Sequence, residues 1–379
     1  MSLALNEEQT MLRDNARDFV TSRTPVKHLR ALRDGDEADG FSREIYKEMV
    51  ELGWPAIPFP EEYGGLGLGY RELGIVLEEC GRMLVPTPLL SSVVLGGGAI
   101  LAGGSDAQKQ AMLPGVCEGS LLLALAFQER SRFHRYPTAT RAKRSAAGFT
   151  LDGEKCFVVD GNSADKIIVS ARTGGEGEDR QGVSLFVVDA GAKGVSIERT
   201  RMVDSRNVAR VVLEGVEVAE DAVVGALDGG ADVLDQVLDR AAISLSAEML
   251  GLCVQSFETT VEYLKTRVQF DVLIGTFQAL QHRAVDMFSE LELARSVVVD
   301  ALSAVDEGRD DVAVMASAAK ARCTDLSRMV TREAVQMHGG IGMTDEHDIG
   351  FYLKRGATTE LALGDSAYHR SRFATLKGY

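Results

Sequence analysis

Proline is scarce in this chain of 379 residues, which contains 8 prolines, none of them after Pro137. Proline breaks helices because it lacks a backbone N–H, so the sequence beyond that point can form long uninterrupted helices. Long apolar runs are absent as well, since no stretch reaches the roughly 18 apolar residues that a membrane-spanning helix requires. We therefore expect no membrane span.

Cysteine and histidine are few and scattered. The 5 cysteines stand far apart without a CxxC pair, and the 6 histidines show no spacing typical of metal ligands. A disulfide framework and a metal site are therefore not expected, and the cysteines are typical of reduced core residues in a cytoplasmic protein. The start, MSLALNEEQT, lacks the basic segment that opens a signal peptide.

Positive charge is in deficit, with 41 Lys and Arg against 56 Asp and Glu and a net charge of −15. Proteins that bind nucleic acid present an excess of positive charge, so nucleic acid is not an expected partner. The apolar fraction of 45% and the charged fraction of 26% are typical of an ordered globular protein. The length predicts about two or three domains.

The hydrophobic period changes twice along the chain. Residues 1–120 carry helical patterns, which begin with Asn6 as a helix cap and Gln9 at the third helical position. Residues 121–228 consist of short β-rich runs between Gly, Asp and Asn turns, and residues 229–379 are helical again. The sequence predicts an α+β multidomain protein with an N-terminal helical domain, a middle β-barrel or sandwich, and a C-terminal helical bundle.

The C-terminal region predicts long helices at about 232–268, 276–306 and 310–338, and a last one from about 350. Helices of this kind commonly pack against a neighbouring subunit. In the β region, RTGGEGEDRQG at 172–182 predicts a flexible, solvated loop because it is rich in glycine and charge.

Two motifs of the C-terminal region each allow two interpretations. AVQMHGGIGMTDEH is typical of a helix end capped by Gly339, but Gln336, His338 and the glycine pair could equally form a surface where backbone amides approach a ligand. TRVQFDVLIGTFQALQ places Arg267 at a turn, where an arginine is commonly just solvated. Beside two glutamines and a helix start, however, the same arginine can hold a pyrophosphate.

Taken in order, Arg-x-x-Phe, Phe-Gln-x-x-Gln and Gln-x-His-Gly-Gly-x-Gly resemble motifs of the acyl-CoA dehydrogenase family. The likeness covers essentially the whole chain, because three further segments also resemble the family: FPEEYGGLGLG, LDGEKCFVVDGNSAD and VLEECGRML. It implies a C-terminal four-helix bundle, tetramers built from dimers, an acyl-CoA substrate and FAD as the cofactor. An electron-transfer flavoprotein is a candidate partner.

In that family the flavin ring lies on the middle domain of one subunit, and the neighbour's C-terminal domain completes the adenine and pyrophosphate end. Asp271 departs from the pattern, because the family usually has glycine there, and an acidic side chain near phosphates should weaken binding unless it points away. The resemblance assigns the contacts donated across the dimer to Arg267, Phe270, Gln278, Gln336, Gly339 and Gly340.

The flavin-ring side departs further from the family. FQERSRFH at 127–134 falls where the family has Thr-Glu-Pro-x-x-Gly-Ser-Asp, a loop that supplies donors to the flavin. Phe127, Arg132 and Phe133 then replace the Thr, Gly and Ser, and Ser131 is the only hydroxyl left. The family's Trp-Ile-Thr, which covers the flavin, has become Phe157, Val158 and Val159.

The same loop is basic, with Arg130, Arg132, His134 and Arg135. One interpretation is an interface or an anion-binding surface, and the other is that the arginines simply keep the loop solvated.

The position of the catalytic base differs as well. The reaction needs a carboxylate to remove the α-proton of the thioester while the flavin accepts a hydride from the β-carbon. The resemblance places Leu363 at the usual base position and Ala241 at the alternative one used by some members. Three nearby carboxylates are weak candidates for an unusual base, although Glu360 and Asp365 are more typical of solvated helix residues: Asp239, Glu360 and Asp365.

This pattern resembles the smaller subunit of heteromeric acyl-CoA dehydrogenases, such as pimeloyl-CoA dehydrogenase small subunits and steroid side-chain degrading enzymes, in which two unlike chains share one set of flavins. We therefore expect a subunit that completes a partner's FAD site. There are three alternatives. The chain could be a non-catalytic partner without flavin of its own, a self-sufficient homotetrameric dehydrogenase, or a related enzyme that passes electrons to oxygen.

Overall fold

The structure is a computed structural model, which describes residues 4–137, 139–177 and 179–379. Two compact units make up the chain. One consists of Met1–Ala31, Tyr70–Val85 and Ala242–Tyr379, and the other of Leu32–Gly69 and Pro86–Ala241. Along the sequence, helices come first, then a sheet, then helices again. The predicted fold class is therefore confirmed.

The N-terminal helices begin at the predicted capping box. The Asn6 side chain accepts a hydrogen bond from the Gln9 N–H at 2.8 Å, and the Gln9 side chain accepts one from the Asn6 N–H at 3.2 Å. A π-helix, Leu89–Gly97, also lies in this region. The α-helices are α1 (Glu7–Arg23), α2 (Val26–Gly35), α3 (Arg43–Glu51), α4 (Tyr70–Arg82), α5 (Gly98–Gly103) and α6 (Asp106–Cys117).

The middle region forms one mixed sheet around an apolar core, in which the rings of Phe149 and Phe186 lie 5.2 Å apart. Its strands are β1 (Leu123–Ala126), β2 (Arg141–Ser145), β3 (Gly148–Val159), β4 (Lys166–Arg172), β5 (Val183–Asp189), β6 (Val195–Arg201), β7 (Asn207–Val218) and β8 (Val223–Val224). They are hydrogen-bonded in the order β6-β7-β3-β2-β4-β5-β8, and β1 pairs in parallel with β4.

The C-terminal helices lie within two residues of the predicted bounds, except at the end of the chain. One last helix was expected, but two are present, because Leu363 (φ 58°) and Gly364 (φ 102°) adopt left-handed backbone conformations that no helix continues. The elements are α7 (Gly230–Thr266), β9 (Val268–Gln269), β10 (Val272–Leu273), α8 (Gln278–Asp306), α9 (Val312–His338), α10 (Ile349–Leu361) and α11 (Ser366–Leu376).

Two glycines bring α4 and α7 into backbone contact. A Cβ atom at Gly251 would lie 1.8 Å from the Glu78 carbonyl oxygen, and one at Gly81 would lie 2.1 Å from the Glu248 carbonyl oxygen. No side chain fits in either place, so these helices cross at a distance that only glycine permits.

Within the described ranges, no helix combines the length and apolarity that crossing a membrane requires.

Candidate functional site

The turn after α7 carries two of the predicted cofactor residues. β9 and β10 form a hairpin in which Val272 pairs with Gln269, and Phe270 (φ 55°) and Asp271 (φ 63°) make the two-residue turn. Two positive φ values are the signature of a type I′ turn. Asp tolerates this conformation, whereas for Phe it is strained, and strain of this kind is commonly retained at ligand sites. The Phe270 side chain is 87% exposed.

The ends of α7 and α9 lie side by side. The ring of Tyr263 stacks on the ring of His338 with 4.4 Å between centroids, and the Arg267 N–H donates to the Tyr263 carbonyl oxygen at 2.9 Å. His338 is buried, donates from Nδ1 to the Ala334 carbonyl oxygen at 2.7 Å, and has a pKa lowered by burial. The stack therefore brings Arg267 close to the glycine motif that follows His338.

The start of α8 completes this surface. The rings of Phe270 and Phe277 lie edge to face at 6.1 Å, and α8 begins at Gln278 directly afterwards. A Cβ atom added at Gly339 or Gly340 would meet no heavy atom within 4 Å, so the backbone there is open to a ligand. We call this surface the clamp, and all of its members are exposed: Arg267, Phe270, Gln278, Gln336, Gly339 and Gly340.

The turn between α10 and α11 contains the predicted base position. Leu363 is 7% exposed, and His369 donates from Nε2 to its carbonyl oxygen at 2.9 Å. Beneath the turn lies Lys320, which is fully buried and donates to the carbonyl oxygens of Glu360 at 3.3 Å and Gly364 at 2.9 Å. Burial lowers the pKa of Lys320 to about 7. Two buried side chains thus fix a turn whose central residue is apolar.

The three candidate carboxylates all have structural partners. Asp239 is buried and lies 2.5 Å from the Arg135 guanidinium. Contrary to expectation, Glu360 and Asp365 are not simply solvated helix residues. Glu360 is buried and accepts from Arg328 at 3.0 Å, while Asp365 precedes α11 and caps it by accepting from the Tyr368 N–H at 2.8 Å. Ala241, at the alternative base position, is fully buried.

The basic loop after β1 begins at a buried ion pair that sequence reasoning missed. Glu129 accepts from Lys155 Nζ at 2.8 Å and from the N–H groups of Ala139 and Thr140. Lys155 holds the pKa of Glu129 well below its usual range, although burial alone would raise it. Lys155 stands in the motif LDGEKCFVVDG, but a pairing across 26 residues has no local signal.

Arg135 does not belong to an exposed basic surface, contrary to one interpretation of the loop. It is 8% exposed and bonds Asp235 at 2.9 Å as well as Asp239. Arg172, also buried, donates to the Pro137 carbonyl oxygen at 2.8 Å and to the Asp179 and Gln181 carbonyl oxygens. The same guanidinium therefore anchors both the basic loop and the predicted flexible loop, whose outer residues are exposed. Arg130, Ser131 and Arg132 remain exposed at the tip.

Phe157 lies in a bulge of β3, where the register with β7 shifts between Lys155 and Val158. Its φ of 52° is strained for an aromatic residue, yet the ring is 40% exposed. The Cys156 N–H donates to the Gln128 carbonyl oxygen at 2.8 Å, which holds the bulge against the basic loop. On the other side of that loop, Phe127 is buried with its ring 6.0 Å from that of Phe133.

Comparison with known protein families identifies the fold. The N-terminal, middle and C-terminal domains of acyl-CoA dehydrogenases match residues 6–120, 128–216 and 228–375. The chain belongs to the acyl-CoA dehydrogenase family. Membership makes FAD the cofactor to be considered at the clamp.

Three relatives illustrate the range of the family. Cyclohex-1-ene-1-carbonyl-CoA dehydrogenase of Geobacter metallireducens is 30% identical over 373 residues, with 97% of each chain covered. Butyryl-CoA dehydrogenase of Megasphaera elsdenii is 25% identical over the full length of both chains, with a TM-score of 0.91. The ChsE4–ChsE5 complex of Mycobacterium tuberculosis contains a chain that is 27% identical over the full length of both, with a TM-score of 0.90.

The clamp fits the dinucleotide end of FAD. An exposed guanidinium matches a pyrophosphate, and the open backbone at Gly339 and Gly340 lets a phosphate or adenine approach closely. The ring end fits less well. Val159 offers no side-chain donor, and the residues that follow Glu129 are exposed and basic, with Ser131 as the hydroxyl among them.

Proposed function

We propose that this chain is a subunit of a heteromeric acyl-CoA dehydrogenase, in which it completes the FAD site of a homologous partner and supplies no catalytic base. The enzyme would oxidise an acyl-CoA thioester between its α and β carbons, with FAD accepting the hydride. We further propose a dimer of dimers in the cytoplasm, with an electron-transfer flavoprotein as the acceptor.

The observation that carries the proposal is the occupancy of the base position. Leu363 cannot accept a proton, and every candidate carboxylate already has a partner: Asp239 is held by Arg135, Glu360 by Arg328, and Asp365 caps a helix. General-base catalysis typically contributes about 10²- to 10⁴-fold in rate, so a chain without a base would be a poor dehydrogenase by itself.

The clamp supports the other half of the proposal. Its six residues are exposed, and the strained Phe270 turn and the open glycine backbone have no evident use within a single chain. ChsE4–ChsE5, a complex of two differently named chains, shows that relatives with this fold form heteromers.

A self-sufficient homotetramer is the second candidate, and Phe157 favours it. An exposed aromatic ring held at a strained φ on the middle region is suited to covering a planar ligand. In that case the chain would hold the flavin ring as well as the dinucleotide tail of its neighbour.

The visible absorption spectrum distinguishes the two candidates. Under the subunit proposal, the chain purified alone is colourless, and co-expression with its homologue yields a yellow complex that an acyl-CoA bleaches. One tightly bound FAD per chain in the isolated protein, bleached by an acyl-CoA, would overturn the subunit proposal.

A further inference from the structure

A cavity of about 350 Å³ lies between α1, α4, α7 and α8, within one compact unit and apart from the clamp and the turn that carries Leu363. This volume is within the range of small-molecule sites, about 300–1,000 Å³. Protein interiors are otherwise close-packed, and α4 lies in backbone contact with α7 beside this cavity. A space of this size between such tightly packed helices is therefore suited to a ligand.

The floor of the cavity is apolar. Val254, Val298 and Leu302 line it and are buried, and Val299 and Ile75 add further aliphatic surface. Val298, Val299 and Leu302 lie on one face of α8, and α7 and α4 add Val254 and Ile75 to the same space. The floor therefore suits an aliphatic chain.

The rim is charged, with five arginines against three glutamates. Each glutamate is already paired with one of the arginines: Glu79 with Arg17 at 2.7 Å, Glu78 with Arg295 at 2.7 Å, and Glu258 with Arg82. No glutamate of the rim remains to neutralise a cationic ligand.

Two of the rim arginines keep donors for an anion. Arg17 uses Nε and Nη2 on Glu79, and Arg295 uses Nη1 on Glu78 and Nε near Glu292. Among the described residues, Nη1 of Arg17 and Nη2 of Arg295 have no hydrogen-bond partner. Both side chains are more than a third exposed, so these donors can reach a ligand.

We propose that this cavity binds an aliphatic carboxylate, with the carboxylate between Arg17 and Arg295 and the alkyl chain on the valine floor. The site goes beyond the proposed flavin-completing role and does not depend on it.

Calorimetric titration of the full-length chain with butanoate, hexanoate and octanoate, below micellar concentrations, tests the proposal. Affinity should rise roughly fourfold for each methylene that enters the cavity. Octylammonium, which has the same chain with the opposite charge, should bind at least about tenfold more weakly than octanoate. Equal affinity for the two, or no saturable octanoate binding, would overturn the proposal.

Two pairs of variants locate the binding. Arg295→Gln should weaken octanoate binding by about tenfold or more. The control is Arg283→Gln, which removes another arginine of α8 and its ion pair with Glu333, and it should leave octanoate binding unchanged. Val299→Phe should fill the cavity and abolish binding, and Val285→Phe, at a 60% exposed position of α8, should leave it unchanged. Octanoate binding that survives both Arg295→Gln and Val299→Phe would place the ligand elsewhere and end the proposal.

Discussion

Asp271 stands at the tip of the β9–β10 hairpin beside the clamp, and its φ of 63° is a conformation that glycine adopts without strain. Two effects can therefore be separated at this residue. Asp271→Asn removes the charge and keeps a side chain that tolerates the left-handed region, while Asp271→Gly also removes the backbone strain.

If the charge opposes the FAD pyrophosphate, both variants should raise the FAD affinity of the complex with the partner by roughly two- to fivefold, which corresponds to about 1 kcal/mol or less between exposed charges. Fluorescence titration of the flavin-stripped complex measures this. An increase seen only with Asp271→Gly would assign the effect to the backbone instead.

Among the clamp residues, Arg267 is the one whose substitution should reduce FAD affinity most. Arg267→Gln should weaken FAD binding to the complex by about 10- to 100-fold, since a charge-assisted hydrogen bond contributes about 1.5–3 kcal/mol. Lys265→Gln is the matched control, because it removes an exposed positive charge at the same helix end. Equal FAD affinities for the two variants would remove Arg267 from the site.

Glu129 and Lys155 form a buried ion pair, and breaking it should strongly lower the stability of the chain. Glu129→Gln should destabilise the chain by about 3–5 kcal/mol, because it leaves the Lys155 ammonium buried without a counter-charge. Urea denaturation measures the effect. Glu154→Gln, which breaks the exposed pair with Arg210 on the same sheet, should leave the urea midpoint nearly unchanged.

At the scale of elements, Lys320 ties α9 to the turn between α10 and α11. The pKa of its ammonium is about 7 in the folded chain, because burial favours the neutral form, and about 10.4 when unfolded. Between these values the unfolded chain binds more protons at this site, so the contribution of Lys320 to stability improves as the pH rises from 7 to 10.

The measurable consequence is a pH-dependent difference between the chain and its Lys320→Met variant. The free energy of unfolding of the unmodified chain should increase relative to the variant over that range, and groups common to both proteins cancel. Lys265→Met, at an exposed lysine, should show no such trend. A difference that stays flat from pH 7 to 10 would contradict the linkage.

Elements with a local signal were predicted well, and those without one were not. The Asn6 capping box and the long helix near 232–268 follow from residues within a few positions, and the structure places them as predicted. β1 and β2 lie inside the predicted β region, but neither carries a strand pattern of its own. β1 is buried on both faces and so shows no alternation, while β2 is a polar run whose strand character depends on pairing with β3.

The candidate site shows the same limit. The clamp residues were found as a motif, and the tight turn after Leu361 could have been read from Gly364 and Asp365. The partners of Asp239 and Glu360 could not, because the pairings with Arg135 and Arg328 span 104 and 32 residues. Burial of a charge is decided by such distant partners.

For the whole molecule, the exposed apolar side chains of the hairpin, α8 and the glycine motif predict that these elements take part in association with another chain. Val285, Phe288, Leu293 and Met343 are all more than half exposed, and apolar groups of this kind mark association surfaces.

Under the proposed function, the native complex should contain one FAD for each pair of unlike chains. Flavin release and protein quantification measure the ratio, and one FAD for every chain would contradict the proposal.

The meeting of Gly81 with the Glu248 carbonyl and of Gly251 with the Glu78 carbonyl has a consequence for how this protein can change. Even alanine at either place would force the two backbones apart, so substitutions at these two positions cannot shift one helix along the other by small steps. The crossing acts as a fixed pivot. α4 and α7 therefore keep one relative position as long as both glycines are present.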